Sequence, residues 1–545
     1  MSDPPAPGLG LGTNPADEQA AMARTVTPTV DDHTDDDGPT AATTPSSVGA
    51  VARGGALNLV GSVIYGVANF ALLVVLNRTL GTRSAGIVLV AIAIFNITST
   101  VAELGCPTGL IRMISRDRAV GRRDRLRATV IVGVVPVAVV STVLAGALFV
   151  VASPLARVLA EGGNTEVVAN VLRGMAVFLP FSALHSVLIS GTRGFDTMRP
   201  QVVVERIGRA LTLPLVVAVA VAVGMGPVGV GIAWAATNLV ALVFSGRAMQ
   251  VRVQGALEAS GQPALPADRG LARAFWAFTA PRAVGQASEV AVNWIDTVLV
   301  GALVSTTAAG IYASGTRYLL PGLYAAEALM QVTGPQISGL LARGHRDEAS
   351  ALLKVVAGWQ TAVMWPLYLL TALFPTPLLE VFGPDVVRAK WALVALAVAM
   401  LITAPAGPVA SVILMSGRSR QAMVNTLALV AVNLGGNLIF VPRYGVTGAG
   451  VVWGVTILVA AALPGWQAAH SLRVATLGRP AFVAAALAAA TVGLVGGGIR
   501  VVVGDDVAGL VLATSLATPV YLAGLWALRS HLHLDALWAG IRRRS

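Results

Sequence analysis

Runs of about 20 apolar residues recur along almost the whole chain, and each is long enough to cross the hydrocarbon core of a bilayer as an α-helix. The 545 residues are 55% hydrophobic and 12% charged, with a mean hydropathy of +0.74. Soluble domains hold about 25% charged residues. The sequence therefore predicts an all-α polytopic membrane protein.

Hydropathy windows predict fourteen membrane-spanning helices. The tenth contains Pro405 and Pro408, and is predicted to be broken or kinked because proline removes a helical hydrogen bond. The predicted spans cover residues 55–76, 85–105, 128–153, 170–190, 209–226, 228–246, 278–303, 307–334, 355–375, 391–415, 421–440, 446–468, 481–499 and 508–528.

The two ends of the chain differ in charge from its centre. Residues 1–50 contain eight acidic residues and a single basic one, which predicts a disordered acidic tail that cannot bury a core. Residues 529–545 end in three arginines and predict a basic amphipathic tail at the membrane surface. Between them we predict an N-lobe (51–250), a C-lobe (272–470) and two extra helices (480–528).

Basic residues in the loops predict the orientation of the chain. They concentrate in loops that follow even-numbered helices, above all in LIRMISRDRAVGRRDRLRA, with seven arginines from Arg112 to Arg127. Because cytoplasmic loops carry the excess of Lys and Arg, we expect a multi-pass protein of the plasma membrane with both termini in the cytoplasm.

The two lobes are predicted to be repeats of six helices each. SAGIVL around Gly86 recurs as AAGIYA around Gly310, an offset of 224, and the pairs LISG/LMSG and GVGIAW/GAGVVW follow in the same order. An even number of helices lets both copies enter the membrane from the same side. The lobes are then related by an axis along the membrane normal, with a transport pathway between them.

A polar stripe follows the seventh predicted helix, and residues spaced three and four apart share one helical face. The stripe is Arg282, Gln286, Glu289, Asn293 and Asp296. Subtracting 224 from the first four positions gives a matching polar stripe on the first helix: Asn58, Ser62, Tyr65 and Asn69. The same offset relates Glu327 in the eighth helix to Glu103 in the second.

Two interpretations of these polar residues remain open. Since unsatisfied polar groups in hydrocarbon cost several kcal/mol each, the stripes, together with Arg317, predict a hydrated cavity between the lobes lined by helices 1, 2, 7 and 8. Alternatively, Asp296 with Arg317, and Arg282 with Glu327, form ion pairs that only fix the hairpin of helices 7 and 8.

The chain resembles the multidrug/oligosaccharidyl-lipid/polysaccharide exporter superfamily, in its oligosaccharide flippase branch. The likeness covers residues 50–470. It is carried by VAELGCPTGLIRMISR, GTRGFDTMRPQVVVERIGR, FTAPRAVGQASEVAVNWIDTVLVGALVSTTAAGIYASGTRYL and LMSGRSRQAMVNTLALVAVNLGGNLIFVPRYGVTGAGVVWG.

The resemblance implies a two-lobed bundle of fourteen helices that works by alternating access. It would move a polyprenyl-diphosphate-linked oligosaccharide to the outer leaflet, alongside a polysaccharide polymerase and glycosyltransferases. Lipid II flippases of the superfamily carry cavity arginines on helix 1, where this chain has neutral residues, which argues against lipid II as substrate. Arg112, Arg206 and Arg209, at a predicted cytoplasmic mouth, would hold the diphosphate or merely follow the positive-inside rule.

Two other functions compete with this interpretation. The predicted cavity acids outnumber its arginines, which favours a proton- or sodium-coupled exporter of drugs or metabolites from the same superfamily. A membrane-embedded glycosyltransferase or polymerase is disfavoured because the predicted outward loops are short and the six histidines lack metal-ligand spacing. No phosphate-binding glycine loop is present, and we expect no cofactor, no metal site and no nucleic-acid partner.

Overall fold

The computed structural model describes residues 45–159, 164–261, 263–409, 412, 413, 416 and 418–533, and within these ranges the chain forms helices and no strand. The predicted acidic tail, for residues 1–44, and the predicted basic tail, for residues 534–545, lie outside the described residues. The first helix begins at Pro45, inside the predicted tail.

The N-lobe contains eight helices, and the first of them changes direction at a glycine. Gly81 has φ 75° and ψ 158°, a backbone conformation that favours glycine, and it divides α1 into the first two predicted spans. The helices are α1 (Pro45–Ala102), α2 (Cys106–Ala119), α3 (Leu126–Leu159), α4 (Thr165–Ala176), α5 (Leu179–Gly191), α6 (Arg199–Gln201), α7 (Ala210–Ala222) and α8 (Pro227–Glu258).

The C-lobe also contains a long helix that changes direction at a glycine, and the last two predicted spans follow it along the chain. Gly445 (φ 54°, ψ −134°) bends α15 as Gly81 bends α1. The helices are α9 (Arg269–Leu303), α10 (Thr306–Gly315), α11 (Leu320–Ala342), α12 (Arg346–Leu373), α13 (Pro375–Glu380), α14 (Lys390–Thr403), α15 (Ser419–Gln467), α16 (Arg479–Ala488), α17 (Leu494–Val502) and α18 (Val507–Ala527).

Among the described residues, seven helices are long and apolar enough to cross a membrane, or eight if the bent pair Thr165–Ala176 and Leu179–Phe195 is one span. Two of them, Gly61–Ala119 and Gln421–Leu472, each cover two predicted windows because the glycine bends lie inside them. The multi-pass helical fold is confirmed, and the count of fourteen spans stays a prediction.

Of two predicted helix boundaries, the structure confirms one and contradicts the other. The break in the tenth span is confirmed, since α14 ends at Thr403, a 3₁₀ turn follows and Gly407 has φ 69°. The predicted start of the fifth span at 209 was wrong by ten residues. Its helix begins at Arg199, runs through a π-helix (Val202–Arg209) and continues as α7.

The lobes meet at one end of the bundle through the two repeat-related glycines. A Cβ on Gly86 would lie 1.9 Å from the carbonyl oxygen of Thr306, and one on Gly310 would lie 2.7 Å from the Cα of Gly86. We call this the outer end, because the loop charges predict it to be external, and the opposite one the inner end. Glycine at both positions lets the two backbones touch.

Polar contacts between the lobes surround this glycine pair. Asn77 donates to the Ser314 hydroxyl at 2.8 Å, and Thr82 donates to Asp385 at 3.0 Å. Arg78 donates to the Val381 carbonyl at 3.1 Å. The outer end is therefore closed by interlobe contacts from α1 to α10 and to the segment after α13.

The last two spans are fixed to the C-lobe at the outer end by Asp505. Its carboxylate lies 2.8 Å from Lys390 Nζ and accepts from the Thr376 hydroxyl at 2.6 Å. Burial raises the pKa of this carboxyl, but the hydrogen bonds from Lys390 and Thr376 hold it below its usual value. Asp505 therefore remains ionised and holds this junction throughout the neutral range.

We predict that Gly86→Ala lowers the melting temperature of the purified protein by several degrees. The added methyl group collides with backbone that cannot move without separating the lobes, and overpacking of this kind costs about 1–3 kcal/mol. Gly146→Ala is the matched control, since a Cβ there meets nothing within 4 Å. Equal melting temperatures for the two variants would contradict the tight contact.

Candidate functional site

The five stripe residues lie on one continuous helix, α9, but in different surroundings. Arg282, Glu289 and Asn293 are exposed, Gln286 is half-buried, and Asp296 is buried at 3% exposure. Asn293 donates to the Glu289 carbonyl at 3.0 Å. The shared helical face is confirmed, whereas its predicted exposure to a common cavity fails for Asp296.

The matching stripe on α1 faces the C-lobe at Tyr65, whose ring meets the ring of Tyr324 edge to face at 6.5 Å. Ser62 accepts a hydrogen bond from Arg206 inside the N-lobe. Asn69 donates to the Tyr65 carbonyl at 2.8 Å. The side chain of Asn58 lies outside the described residues.

Arg206 connects the lobes in the interior of the bundle. Its guanidinium lies 3.9 Å from the carboxylate of Glu327 on α11 while it also bonds Ser62 on α1. The sequence predicts Arg206 and Arg209 at a cytoplasmic mouth, and both belong to the π-helix Val202–Arg209.

Arg317 is half-buried on the C-lobe side of the same region. Its guanidinium carbon lies 5.2 Å from the centre of the Trp294 ring, and its Nε has no hydrogen-bond partner among the described residues. Tyr65, Tyr312 and Tyr324 are near enough to interact with it electrostatically. We call the group formed by both lobes the interlobe seam: Ser62, Tyr65, Arg206, Arg317, Tyr324 and Glu327.

The alternative of two ion pairs within the hairpin is not supported. Among the described residues Arg317 makes no salt bridge to Asp296, which instead accepts hydrogen bonds inside the C-lobe. Glu327 lies against Arg206 of the other lobe. Of the side chains that were predicted to fix the hairpin, Arg317 and Glu327 contribute to the seam and Asp296 to the C-lobe core.

Glu103 belongs to a buried network inside the N-lobe and not to the space between the lobes. It is 8% exposed and bonds Ser186 on α5. The repeat predicted an environment like that of Glu327, but the chain diverges here. Leu104 and Gly105 both have positive φ and end α1, whereas α11 continues past Glu327.

The centre of the N-lobe network is Glu205, which sequence reasoning missed. It lies 2.7 Å from His185 Nε2 and accepts from Arg209 at 2.8 Å. The Arg209 guanidinium also lies 5.8 Å from the Trp234 ring. An acid followed by arginines one and four residues later, next to an apolar run, is a signal that could have found it.

A second buried network surrounds Asp296 in the C-lobe. Its carboxylate accepts from Tyr312 at 3.0 Å and from Asn437 at 2.9 Å. The Oδ1 atom of Asn437 is buried without a hydrogen-bond partner among the described residues. Asn433 and Asn437 were missed as site residues, although their spacing of four on an apolar span puts them on one face.

Arg112 and Arg282 share one aromatic ring at the inner end. Their guanidinium carbons lie 3.9 Å and 4.4 Å from the centre of the Phe278 ring. Arg112 belongs to α2 and Phe278 to α9. Arg112 therefore lies where α2 of the N-lobe meets α9 of the C-lobe.

A cavity of about 360 Å³ lies at the outer end of the C-lobe. Ser305, Arg388 and Tyr444 are among the residues that line it. It includes none of the side chains that the sequence assigned to a cavity. In the described part of the chain no group of three or more His, Cys, Asp or Glu side chains could hold a metal ion.

The sequence model of a family described as "Polysaccharide biosynthesis protein" matches residues 51–340. This match spans more than half of the chain. The chain belongs to the polysaccharide biosynthesis protein family. The match covers the N-lobe and continues through α9 and most of α11, so the seam lies within it. No curated protein matches the chain.

Solved structures show the same fold in transporters of the superfamily that the sequence resembles. The lipid II flippase MurJ in an inward closed conformation has a TM-score of 0.63 at 11% identity, covering 86% of this chain and 100% of that one. An inward-facing multidrug resistance MATE family transporter of the MOP superfamily has a TM-score of 0.55 at 16% identity, covering 73% and 92%. The D35N mutant of the Vibrio cholerae MATE transporter VcmN has 0.52 at 15%, covering 78% and 98%.

At these identities the structural likeness concerns the fold alone, a multi-pass helical fold that these transporters share. The recognition made from the sequence is confirmed at the level of the family.

We predict that Glu205→Gln lowers the melting temperature of the purified protein. Removing the carboxylate leaves Arg209, whose side chain is 15% exposed, without its counter-charge, and breaking a buried pair costs about 3–5 kcal/mol. Glu258→Gln, at an exposed position on α8, is the control. If both variants melt together with the wild type, Glu205 does not hold the N-lobe network.

Proposed function

We propose that this protein translocates a polyprenyl-diphosphate-linked oligosaccharide from the inner to the outer leaflet of the plasma membrane by alternating access, with both termini in the cytoplasm. The observation that carries the proposal is the interlobe seam. Arg206 of the N-lobe lies 3.9 Å from Glu327 of the C-lobe, and Tyr65 of the N-lobe interacts electrostatically with Arg317 of the C-lobe. Polar groups among membrane-spanning helices persist only where protein, water or a polar ligand satisfies them.

The chemistry of the seam suits a phosphorylated sugar. Arginine offers a planar fork of donors that matches phosphate oxygens, and the free Nε of Arg317 is one such donor. Tyr65, Tyr324 and Trp294 offer aromatic faces and hydroxyl groups to a saccharide. The lipid tail of the substrate can remain in the bilayer while only its head group enters the seam.

Alternating access is supported by the kind of contact at the outer end. Asn77–Ser314, Thr82–Asp385 and the Gly86–Gly310 contact join the lobes, beside the Phe70 ring that packs on Tyr318 and Phe382. The hydrogen-bonded groups among them can exchange their partners for water when the lobes separate. Rigid-body motion of one lobe against the other would then open the seam to the outside.

The neutral helix 1 stripe still argues against lipid II. The likeness to MurJ concerns the fold and does not change this argument, because Ser62, Tyr65 and Asn69 carry no charge. A polysaccharide polymerase and glycosyltransferases are the partners that such a substrate requires, before and after translocation.

A second candidate is a cation-coupled exporter, and the Asp296 network favours it. An acid held by Tyr312 and Asn437, beside an unpartnered amide oxygen, offers oxygen ligands of the type that a sodium ion or a proton takes up. The same network could couple flipping itself to an ion gradient. We therefore treat cation coupling as a property to be tested within both functions.

We predict that Arg317→Ala reduces translocation at least tenfold while the protein still inserts in the membrane. Losing a charge-assisted hydrogen bond to phosphate costs about 1.5–3 kcal/mol. The measurement uses proteoliposomes that contain a labelled lipid-linked oligosaccharide and an impermeant lectin outside. Arg317→Lys should be intermediate, and Arg346→Ala, at an exposed position on α12, should match the wild type. Wild-type rates for Arg317→Ala would return Arg317 to a structural role.

We predict that Asp296→Asn preserves folding but abolishes stimulation of transport by a sodium or proton gradient. The amide keeps the size of the side chain and removes the charge that a cation needs. Asp347→Asn, exposed on α12, is the control. In cells, accumulation of lipid-linked sugar on the inner leaflet would support the flippase, whereas loss of drug efflux without that accumulation would support the exporter.

A further inference from the structure

Two arginines from different lobes stack against one phenylalanine at the inner end. Arg112 on α2 and Arg282 on α9 both lie over Phe278, and both side chains are exposed. Their guanidinium carbons can be no further apart than the sum of the two stacking distances. Two positive charges are therefore held close together on a surface that ligands can reach.

Neither guanidinium has an acidic partner. Among the described residues, Arg112 and Arg282 form no salt bridge and no side-chain hydrogen bond. Two other arginines at the same end are paired, since Arg118 lies 2.6 Å from Asp196 and Arg125 lies 3.9 Å from Asp268. The positive-inside rule explains why arginines occur here, but it does not explain why two of them share a ring and lack an acid.

The packing around Phe278 fixes the position of both arginines. Gly105 and Gly109 bring α2 against α9, and a Cβ on Gly109 would lie 2.3 Å from the Thr279 hydroxyl. Thr279 is fully buried next to Phe278. Stacking on an aromatic face leaves the edge of each guanidinium free, so its N–H donors remain available to an anion.

We propose that Arg112 and Arg282 form a phosphate clamp that binds a diphosphate or phosphodiester group at the inner end and joins the two lobes through it. That the ligand is the diphosphate of a lipid-linked sugar rests on the proposed function. An anionic phospholipid head group offers the same chemistry. Because the arginines come from different lobes, occupation of the clamp stabilises the arrangement in which the inner ends are together.

The test measures binding of farnesyl diphosphate to the full-length protein in phosphatidylcholine nanodiscs by isothermal titration calorimetry. Arg112→Gln and Arg282→Gln should each weaken binding at least tenfold, and the double variant should not bind measurably. Arg116→Gln is the matched control, because Arg116 is exposed one turn further along α2 and should retain affinity within twofold. Unchanged melting temperatures establish that the variants are folded.

A second arm replaces a third of the phosphatidylcholine with phosphatidylglycerol. If the clamp also takes a lipid head group, phosphatidylglycerol will compete with farnesyl diphosphate and lower its apparent affinity in the wild type and in Arg116→Gln. Absence of competition assigns the clamp to the diphosphate alone. Unchanged affinity in both single variants, or an equal loss in Arg116→Gln, overturns the proposal. Translocation is measured separately. If the clamp binds farnesyl diphosphate but the protein flips no lipid-linked sugar, only the proposed function is overturned.

Discussion

The fold depends on the cost of placing polar and charged side chains where no bulk water can reach them. A helical bundle in a bilayer satisfies its backbone within each helix, but every buried side-chain charge needs a specific partner. The protein meets this requirement separately in each lobe. Glu205 is held by His185 and Arg209 in the N-lobe, and Asp296 by Tyr312 and Asn437 in the C-lobe. The remaining polar groups meet between the lobes.

This division separates the parts that hold each lobe together from the parts that can exchange partners. A network inside one lobe moves with that lobe as a rigid body. The contact of Arg206 with Glu327 crosses from one lobe to the other and must change whenever the lobes rotate, whereas its hydrogen bond to Ser62 stays within the N-lobe. The π-helix Val202–Arg209 carries both kinds of residue side by side, with Glu205 directed into the N-lobe and Arg206 toward the C-lobe. π-Helical segments are often found at functional sites.

Much of the architecture could be predicted from the sequence because hydropathy and loop charge act over whole helices. Each of the fourteen windows overlaps a helix among the described residues, and the α9 stripe lies on one helix. The assignment of single side chains was less successful. A period of three and four residues identifies a polar face but does not tell whether that face meets a neighbouring helix, as for Asp296, or the other lobe, as for Glu327. The breaks at Leu104 and Gly105, and the early start of the fifth span, depend on local packing that the hydropathy profile does not contain.

The meeting of Gly86 with Gly310 ties together two positions that lie far apart along the chain. A side chain on Gly86 would meet the backbone of Thr306, and one on Gly310 would meet the backbone of Gly86. Neither position can therefore accept a larger residue alone, and a change at one cannot be relieved by a change at the other.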